Sequence, residues 1–220
     1  MSPRPGTDSP SLFKTPPGPD FTLEKRLYRR GCRFVAGVDE AGRGPLAGPV
    51  VVAAVILDRK RIPDGIDDSK KLTRQKREQC FAWIVESAAV AWASVPVTVI
   101  DRINIREASL AAMVKAVAGL ADRPEAILID GRDVPLPLAD TGRAIVGGDG
   151  ASLSIAAASI VAKVVRDRLM ERACQDFPGY GFSSHAGYGT PQHLEALTRL
   201  GPCALHRRSF APVRLLDTEG

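Results

Sequence analysis

The sequence predicts an α/β domain, a mixed sheet flanked by helices, because segments of strand composition alternate with segments whose apolar residues recur at helical spacing. Three observations carry this. Val50 to Leu57, VVVAAVIL, is a β-branched run without polar interruption, as in a strand covered on both faces. Cys80, Phe81, Ile84, Val85 and Ala88 form one helical stripe, and Leu110, Met113, Val114, Val117 and Leu120 form another. Further short strand-like runs follow the second stripe.

Residues 1–20 hold six of the 17 prolines and little apolar content, so they cannot offset their ordering entropy and are expected to be a disordered tail. Phe21 to Arg30 fits a short basic helix or an extended lead-in. Phe34 to Val38 reads as a strand, AGRGPLAG as a tight turn, and Pro49 to Leu57 as the buried strand lying close to the first. Asp68 or Thr73 caps the helix of the first stripe. Val90 to Val99 has strand character, and the helix of the second stripe starts near Asn104. Ala126 to Ile129 and Ala144 to Val146 read as strands, and Ser152 to Arg172 as a long helix whose Ala and Ser residues suit close packing. The expected domain therefore spans residues 21–214, with 215–220 as a C-terminal tail.

Composition narrows the function without choosing it. At 220 residues, 45% hydrophobic and 25% charged, the chain suits one globular domain. The net charge is +5, but the first 30 residues carry six Lys or Arg against three Asp or Glu, so +3 of it is N-terminal. This permits a polyanionic partner without demanding one. Cys32, Cys80, Cys174 and Cys203 show no Cys-x-x-Cys spacing, and MSPRPGTDSP lacks the apolar centre of a secretory signal, which favours a reduced, cytoplasmic setting. The Val50–Leu57 run is far shorter than the roughly 20 residues of a membrane span.

The acids carry the chemistry. Asp39 and Glu40 end the first strand, Asp130 ends a later one, and Asp149 sits between two glycines ahead of the long helix, whose N-terminal dipole favours negative charge. Adjacent strand residues face opposite ways, so Asp39 and Glu40 share a site only where the chain begins to turn, which the following glycines permit. Carboxylates gathered without histidine or thiolate neighbours repel each other unless a cation intervenes, and an all-oxygen shell suits Mg²⁺ or Mn²⁺. Two such ions suit in-line hydrolysis of a phosphodiester with no nucleophilic side chain. Taken singly, each acid is more often a turn former or cap. Gly42, Gly44 and Ala47 also match a loose dinucleotide-binding fingerprint, but Pro45, Pro49 and the strand-like VVVAAVIL stand where its helix should run.

VAGVDEAGRGPLAGPVVVAAVIL resembles the opening motif of the ribonuclease HII family, the type 2 ribonucleases H. DDSKKLT, INIREAS, AILIDG, GGDGASLSIAAASIVAKVVRD, GYGF, HAGYGT and HRRSFAPV are similar to family segments in the same order, covering roughly residues 30–214. The resemblance implies a ribonuclease H-like fold, a mixed five-stranded sheet flanked by helices with a C-terminal helical segment. It further implies a site of Asp39, Glu40, Asp130 and Asp149 holding Mn²⁺ or Mg²⁺. The backbone of Gly42, Arg43 and Gly44 would meet the ribonucleotide and its phosphate, and Tyr188 would read the RNA–DNA junction. The implied substrates are RNA/DNA hybrids and duplex DNA with embedded ribonucleotides, cut 5′ of the ribonucleotide by a cytoplasmic, monomeric endonuclease. A non-catalytic nucleic-acid module, or a nuclease with another substrate, are the alternatives. Gly147 stands where the family commonly has Lys, so a positive charge near Asp149 is missing. Lys70, Lys71, Arg166 and His206 match family segments but equally suit solvated charges or structural partners. Neither end shows an aromatic clamp-binding motif.

Overall fold

In the computed structural model, which describes residues 18–217, β1 (Val35–Ala41) and β2 (Val50–Leu57) pair antiparallel at the centre of the sheet. β3 (Ala88–Val95) extends β2 antiparallel, while β4 (Ala126–Asp130) and β5 (Gly142–Ile145) continue from β1 in parallel. The result is a mixed five-stranded sheet in the order β3-β2-β1-β4-β5. Around the sheet are α1 (Thr22–Arg29), α2 (Arg74–Ser87), α3 (Val97–Ile103), α4 (Ile105–Ala118) and the long α5 (Leu153–Asp176), with α4 on one face and α2 and α5 on the other. Three short helices close the chain: α6 (Phe182–His185), α7 (Pro191–Leu200) and α8 (Ala211–Asp217).

β2 lacks polar alternation because both of its faces are covered. Val50, Val52, Ala54 and Ile56 join a core with Ala108, Ala112, Met113 and Ala116 of α4. Ala53, Val55 and Leu57 point the other way, into Cys80 and Ile84 of α2 and the Ala156–Ala158 and Ile160–Ala162 stretches of α5. The small residues of α5 let it lie close on the sheet. The tightest approach is at Gly37 in β1, where a β-carbon would sit 2.1 Å from the Ser154 carbonyl carbon, so no other residue fits.

The start of α5 is pinned by the chain's N-terminal segment. Ser152 caps it, its hydroxyl accepting from the Ile155 amide at 3.2 Å. The buried Glu24 carboxylate of α1 accepts from the Ser152 hydroxyl at 2.6 Å and the Ser154 amide at 2.9 Å, and the Leu153 amide donates to the Asp20 carbonyl at 3.0 Å. Glu24→Ala strands two buried donors and is expected to cost about 1–3 kcal/mol, read as a lower thermal midpoint. An unchanged midpoint would show that α5 is held without this contact.

Several boundaries differ from the sequence reading. Of the expected tail, residues 1–17 lie outside the described residues, as do 218–220; Asp20, by contrast, belongs to the domain, its carboxylate accepting from the Thr22 amide at 2.8 Å just ahead of α1. Leu215 and Leu216, assigned to the C-terminal tail, lie in α8. AGRGPLAG is not a tight turn but a wide loop between Ala41 and Val50, tied to distant chain through Leu46 N–H to Gly187 O (2.8 Å) and Gly48 N–H to Leu205 O (2.8 Å). The strand expected at 90–99 begins at Ala88 and ends at Val95, since Pro96 cannot donate to a ladder and instead starts α3. Thr73, not Asp68, caps α2, leaving Val85 on its exposed side and Ala88 in β3. β5 starts two residues before the expected Ala144 and ends one before Val146, which is already outside the sheet and exposed.

Candidate active site

Topology gathers the four acids. β1 and β4 run parallel with Val38 opposite Ile129, so Asp39 and Asp130 follow at the same end of neighbouring strands. β5 is parallel to β4 with Asp130 opposite Ile145, and the chain then enters a single 3-10 turn, Gly148–Gly150, which carries Asp149. The turn is tied to the strand end by the Gly148 amide, which donates to Asp130 Oδ1 at 2.6 Å. The turn packs against β4 and the α5 helix that it precedes, and the Asp149 charge reaches Asp39 from there. β1 continues through both Asp39 and Glu40, paired with Ala53 and Val52, to Ala41, so the two acids share a site from within the strand rather than where the chain begins to turn. Asp39 Oδ1 accepts from the Glu40 amide at 2.7 Å, and both acids line one cleft of about 240 Å³.

Their electrostatics are unfavourable as they stand. Burial, then the negative charges of Glu40, Asp130 and Asp149, push the Asp39 carboxyl well above its ordinary range. Burial also raises Glu40, against the pull of Arg43, and raises Asp130, against its bond from the Gly148 amide. Glu40 Oε2 is buried without a hydrogen-bond partner, while Oε1 accepts from Arg43 Nη1 at 3.3 Å. Lys70 Nζ reaches Asp149 Oδ2 at 3.0 Å. A cation near Asp149 is therefore present although position 147 is Gly.

The remaining wall of the cleft contains Gly42, Arg43, Gly44, Ser69, Lys70, Lys163, Arg166 and Tyr188. Thus the glycine turn and Tyr188 adjoin the acids. The Tyr188 ring is 45% exposed, and a β-carbon at Gly44 would meet its Cε1 at 3.8 Å, an ordinary contact. At Gly42 the situation is different: φ is +97°, and a β-carbon would lie 2.0 Å from Arg166 Nε. Lys71 pairs instead with Asp67 at 3.7 Å, a surface contact.

Two buried arginines hold the loop from beneath. Arg166 donates to the carbonyls of Pro49 (3.0 Å), Ala186 (2.9 Å) and Ala47 (3.1 Å). Arg207 donates to Gly42 (2.6 Å), Arg43 (2.9 Å) and Gly48, the last from both Nε (3.0 Å) and Nη2 (2.9 Å). Burial disfavours the charged form of both, and in Arg207 the facing Arg166 adds to this. The structural reading of Arg166 is therefore the right one, and Arg207 was missed within HRRSFAPV. No local pattern marks a side chain whose acceptors are carbonyls more than 150 positions away.

All three histidines are buried beneath Tyr188. The Tyr188 carbonyl must accept from His193 Nδ1–H (2.9 Å), which leaves His193 Nε2 to accept from His206 Nε2–H (3.1 Å) and His206 Nδ1 to accept from the Cys203 amide (2.9 Å). Each ring then carries one proton. His206 is thus a structural partner. Burial, with the neighbouring His185, holds His193 below its ordinary value. Being depressed in the folded state, His193 contributes stability above its unfolded pKa of about 6.5 that is lost as pH falls through the folded one. Proton NMR is expected to show the His193 imidazole titrating below that value in the folded chain; titration of His193 at or above it would contradict this hydrogen-bond arrangement.

This arrangement of acids, glycine turn and tyrosine can be set against known proteins. The Ribonuclease HII family profile matches residues 36–213. The chain belongs to the ribonuclease HII family. It is therefore a ribonuclease H, an endoribonuclease. A Ribonuclease HII of Rhizobium etli (strain CIAT 652) is 57% identical over 215 residues, 97% of this chain and 94% of that one. The ribonuclease H2 of Pyrococcus horikoshii OT3 superposes with a TM-score of 0.73 at 30% identity, covering 84% of this chain and 98% of that one. The RNase HII of Archaeoglobus fulgidus, seen in a complex with PCNA, gives 0.70 at 28% identity over 81% and 95%. The mixed five-stranded sheet flanked by helices is thus a ribonuclease H-like fold. Among the described residues, no helix is long and apolar enough to cross a membrane. All four cysteines are free.

Proposed function

We propose that this ribonuclease HII cuts the RNA strand of RNA/DNA hybrids, and cuts duplex DNA on the 5′ side of a single embedded ribonucleotide, with Asp39, Glu40, Asp130 and Asp149 holding Mg²⁺ or Mn²⁺. The observation that carries this is the gathering of Glu40, Asp130 and Asp149 around the buried Asp39, whose charge all three disfavour, with Asp39, Glu40 and Asp130 lining one cleft with the glycine turn.

The donor set fits a hard cation: all ligand atoms are carboxylate oxygens, and the partnerless Glu40 Oε2 is buried among them. In the present side-chain arrangement no three acids or other ligand residues among the described residues enclose one point. The reason is local, since Asp149 is turned to Lys70, Glu40 to Arg43, and Asp130 to the Gly148 amide. Cation binding therefore competes with Lys70 and Arg43. When bound, a divalent cation supplies positive charge to the carboxylates and to the phosphodiester as it is attacked.

The chain's own residues do the rest. Lys70 and Arg43 line the cleft with positive charge for backbone phosphates, so binding weakens with salt. Released from Asp149 and Glu40, Lys70 and Arg43 are free to take phosphate oxygens. The glycine turn offers polar backbone at close range, where a 2′-hydroxyl satisfies groups that a deoxyribose leaves unpaired. Tyr188, across from Gly44, presents a flat ring to the sugar at the junction.

Tyr188→Ala is expected to lower kcat/KM on a duplex with one ribonucleotide by about tenfold to a hundredfold, while Mn²⁺ affinity stays within about threefold. Matched duplexes with one and four ribonucleotides, run at one salt concentration, make the comparison. Equal activity of variant and wild type on the single-ribonucleotide duplex would remove Tyr188 from recognition.

A further inference from the structure

Arg207 is fully buried, yet all of its hydrogen bonds given above go to backbone carbonyls of the loop between β1 and β2. Two of those carbonyls are consecutive, Gly42 and Arg43. A trans peptide is planar, with its C=O and N–H on opposite sides. Drawing the Gly42 carbonyl inward therefore turns the Arg43 amide away from Arg207, and drawing the Arg43 carbonyl inward does the same for the Gly44 amide. Neither amide meets a backbone acceptor among the described residues. Two successive N–H groups directed to one side form a small concavity suited to an oxyanion or a hydroxyl oxygen.

We propose that Arg207 is a positioning residue, which aims the Arg43 and Gly44 amides at the nucleic acid by holding the two carbonyls behind them. This rests on the reading that the glycine turn meets the ribonucleotide. The guanidinium suits the task because its planar fork reaches several acceptors at once: Nη1 takes Arg43, Nη2 takes Gly42 and Gly48, and Nε takes Gly48. Bonding Gly48 as well ties the start of the loop to its end. The Phe210 ring lies under the guanidinium at 5.0 Å and limits where it can go. A lysine keeps the charge but cannot span these acceptors with the same geometry.

The test compares Arg207→Lys with Ile84→Ala, a cavity in the α2–α5 core, at a temperature where both are folded. Arg207→Lys is expected to lower kcat/KM on a one-ribonucleotide duplex by about tenfold to a hundredfold relative to Ile84→Ala, with Mn²⁺ affinity unchanged within about threefold. Cleavage equal to that of Ile84→Ala, or a parallel loss of Mn²⁺ affinity, would overturn the proposal. Gly44→Pro, which deletes one of the two amides, and Gly44→Ala, which keeps it, test the underlying reading separately. If Gly44→Pro cleaves like Gly44→Ala, the reading of the turn fails. If only Gly44→Pro is impaired and Arg207→Lys is not, the turn stands and the positioning role falls. Should Arg207→Lys not fold, amide exchange on the wild type decides. The Arg43 and Gly44 amides are expected to exchange quickly in the free protein and slowly with the one-ribonucleotide duplex added without divalent cation, and exchange that the duplex leaves unchanged overturns the proposal.

Discussion

Asp39→Asn is expected to reduce cleavage at least about a thousandfold and, at the same time, to raise the thermal midpoint of the metal-free protein. The loss follows from removing a charge that holds the cation, while the amide keeps the shape. The gain follows from linkage. The Asp39 carboxyl is raised in the folded chain by burial and by three like charges, so the folded state binds more protons than the unfolded state between the two pKa values. Stability therefore falls as pH rises from about 4 through the raised value. Asparagine lacks that penalty. The variant is expected to be stabilised by about 0.5–2 kcal/mol at neutral pH, which shifts the midpoint by a few degrees, and by less at low pH. Melts in chelator across pH 5–8 check this, and the comparison with wild type cancels the opposite contribution of His193. A variant less stable than wild type throughout that range would show that Asp39 is held by favourable contacts instead.

The second large effect separates two glycines that look alike in the sequence. Gly42→Ala places a methyl group 2.0 Å from Arg166 Nε and 2.8 Å from the Pro49 carbonyl, at a φ of +97°. The positive φ alone costs about 1–2 kcal/mol. Moving Arg166 also breaks bonds to carbonyls that satisfy a buried charge, which typically costs about 3–5 kcal/mol more. The loop is expected to lose its shape, with cleavage down at least about a hundredfold. Gly44→Ala meets only Tyr188 Cε1 at 3.8 Å and is expected to stay within about 0.5 kcal/mol of wild type. Melting midpoints and kcat/KM of the pair settle it, and equal effects at the two positions would contradict the account of the loop.

Much of this architecture was readable because it is written in local patterns. Strand composition and helical stripes located β2, α2, α4 and α5, and the position of Asp130 at a strand end and Asp149 before a helix marked the acids. Parallel pairing of β1, β4 and β5 then converts those separate strand ends into one place. What stayed hidden depends on partners far apart in the chain. Gly37 reads as an ordinary strand residue until α5 lies on it. The loop after β1 looked like a tight turn because its glycines suggest one, whereas its shape is set by Arg166 and Arg207. Val97–Val99 is β-branched and reads as strand, yet Pro96 and the burial of Val97 and Ile100 make it helical. The tie of Glu24 to the start of α5 has no local sign either, since an acid in a short basic segment is normally a surface group.

We propose that four carboxylates, a glycine turn and Tyr188 form one divalent-cation-dependent site that acts at a ribonucleotide. The most direct test is incubation of the purified protein with a DNA duplex containing a single ribonucleotide, with Mn²⁺ or Mg²⁺ and with chelator, followed by mapping of the cut against an all-DNA duplex. One metal-dependent cut is expected on the 5′ side of the ribonucleotide, leaving 3′-hydroxyl and 5′-phosphate ends, with no cut in the all-DNA duplex. Cleavage in chelator, or cleavage of the all-DNA duplex at a similar rate, would contradict this proposal.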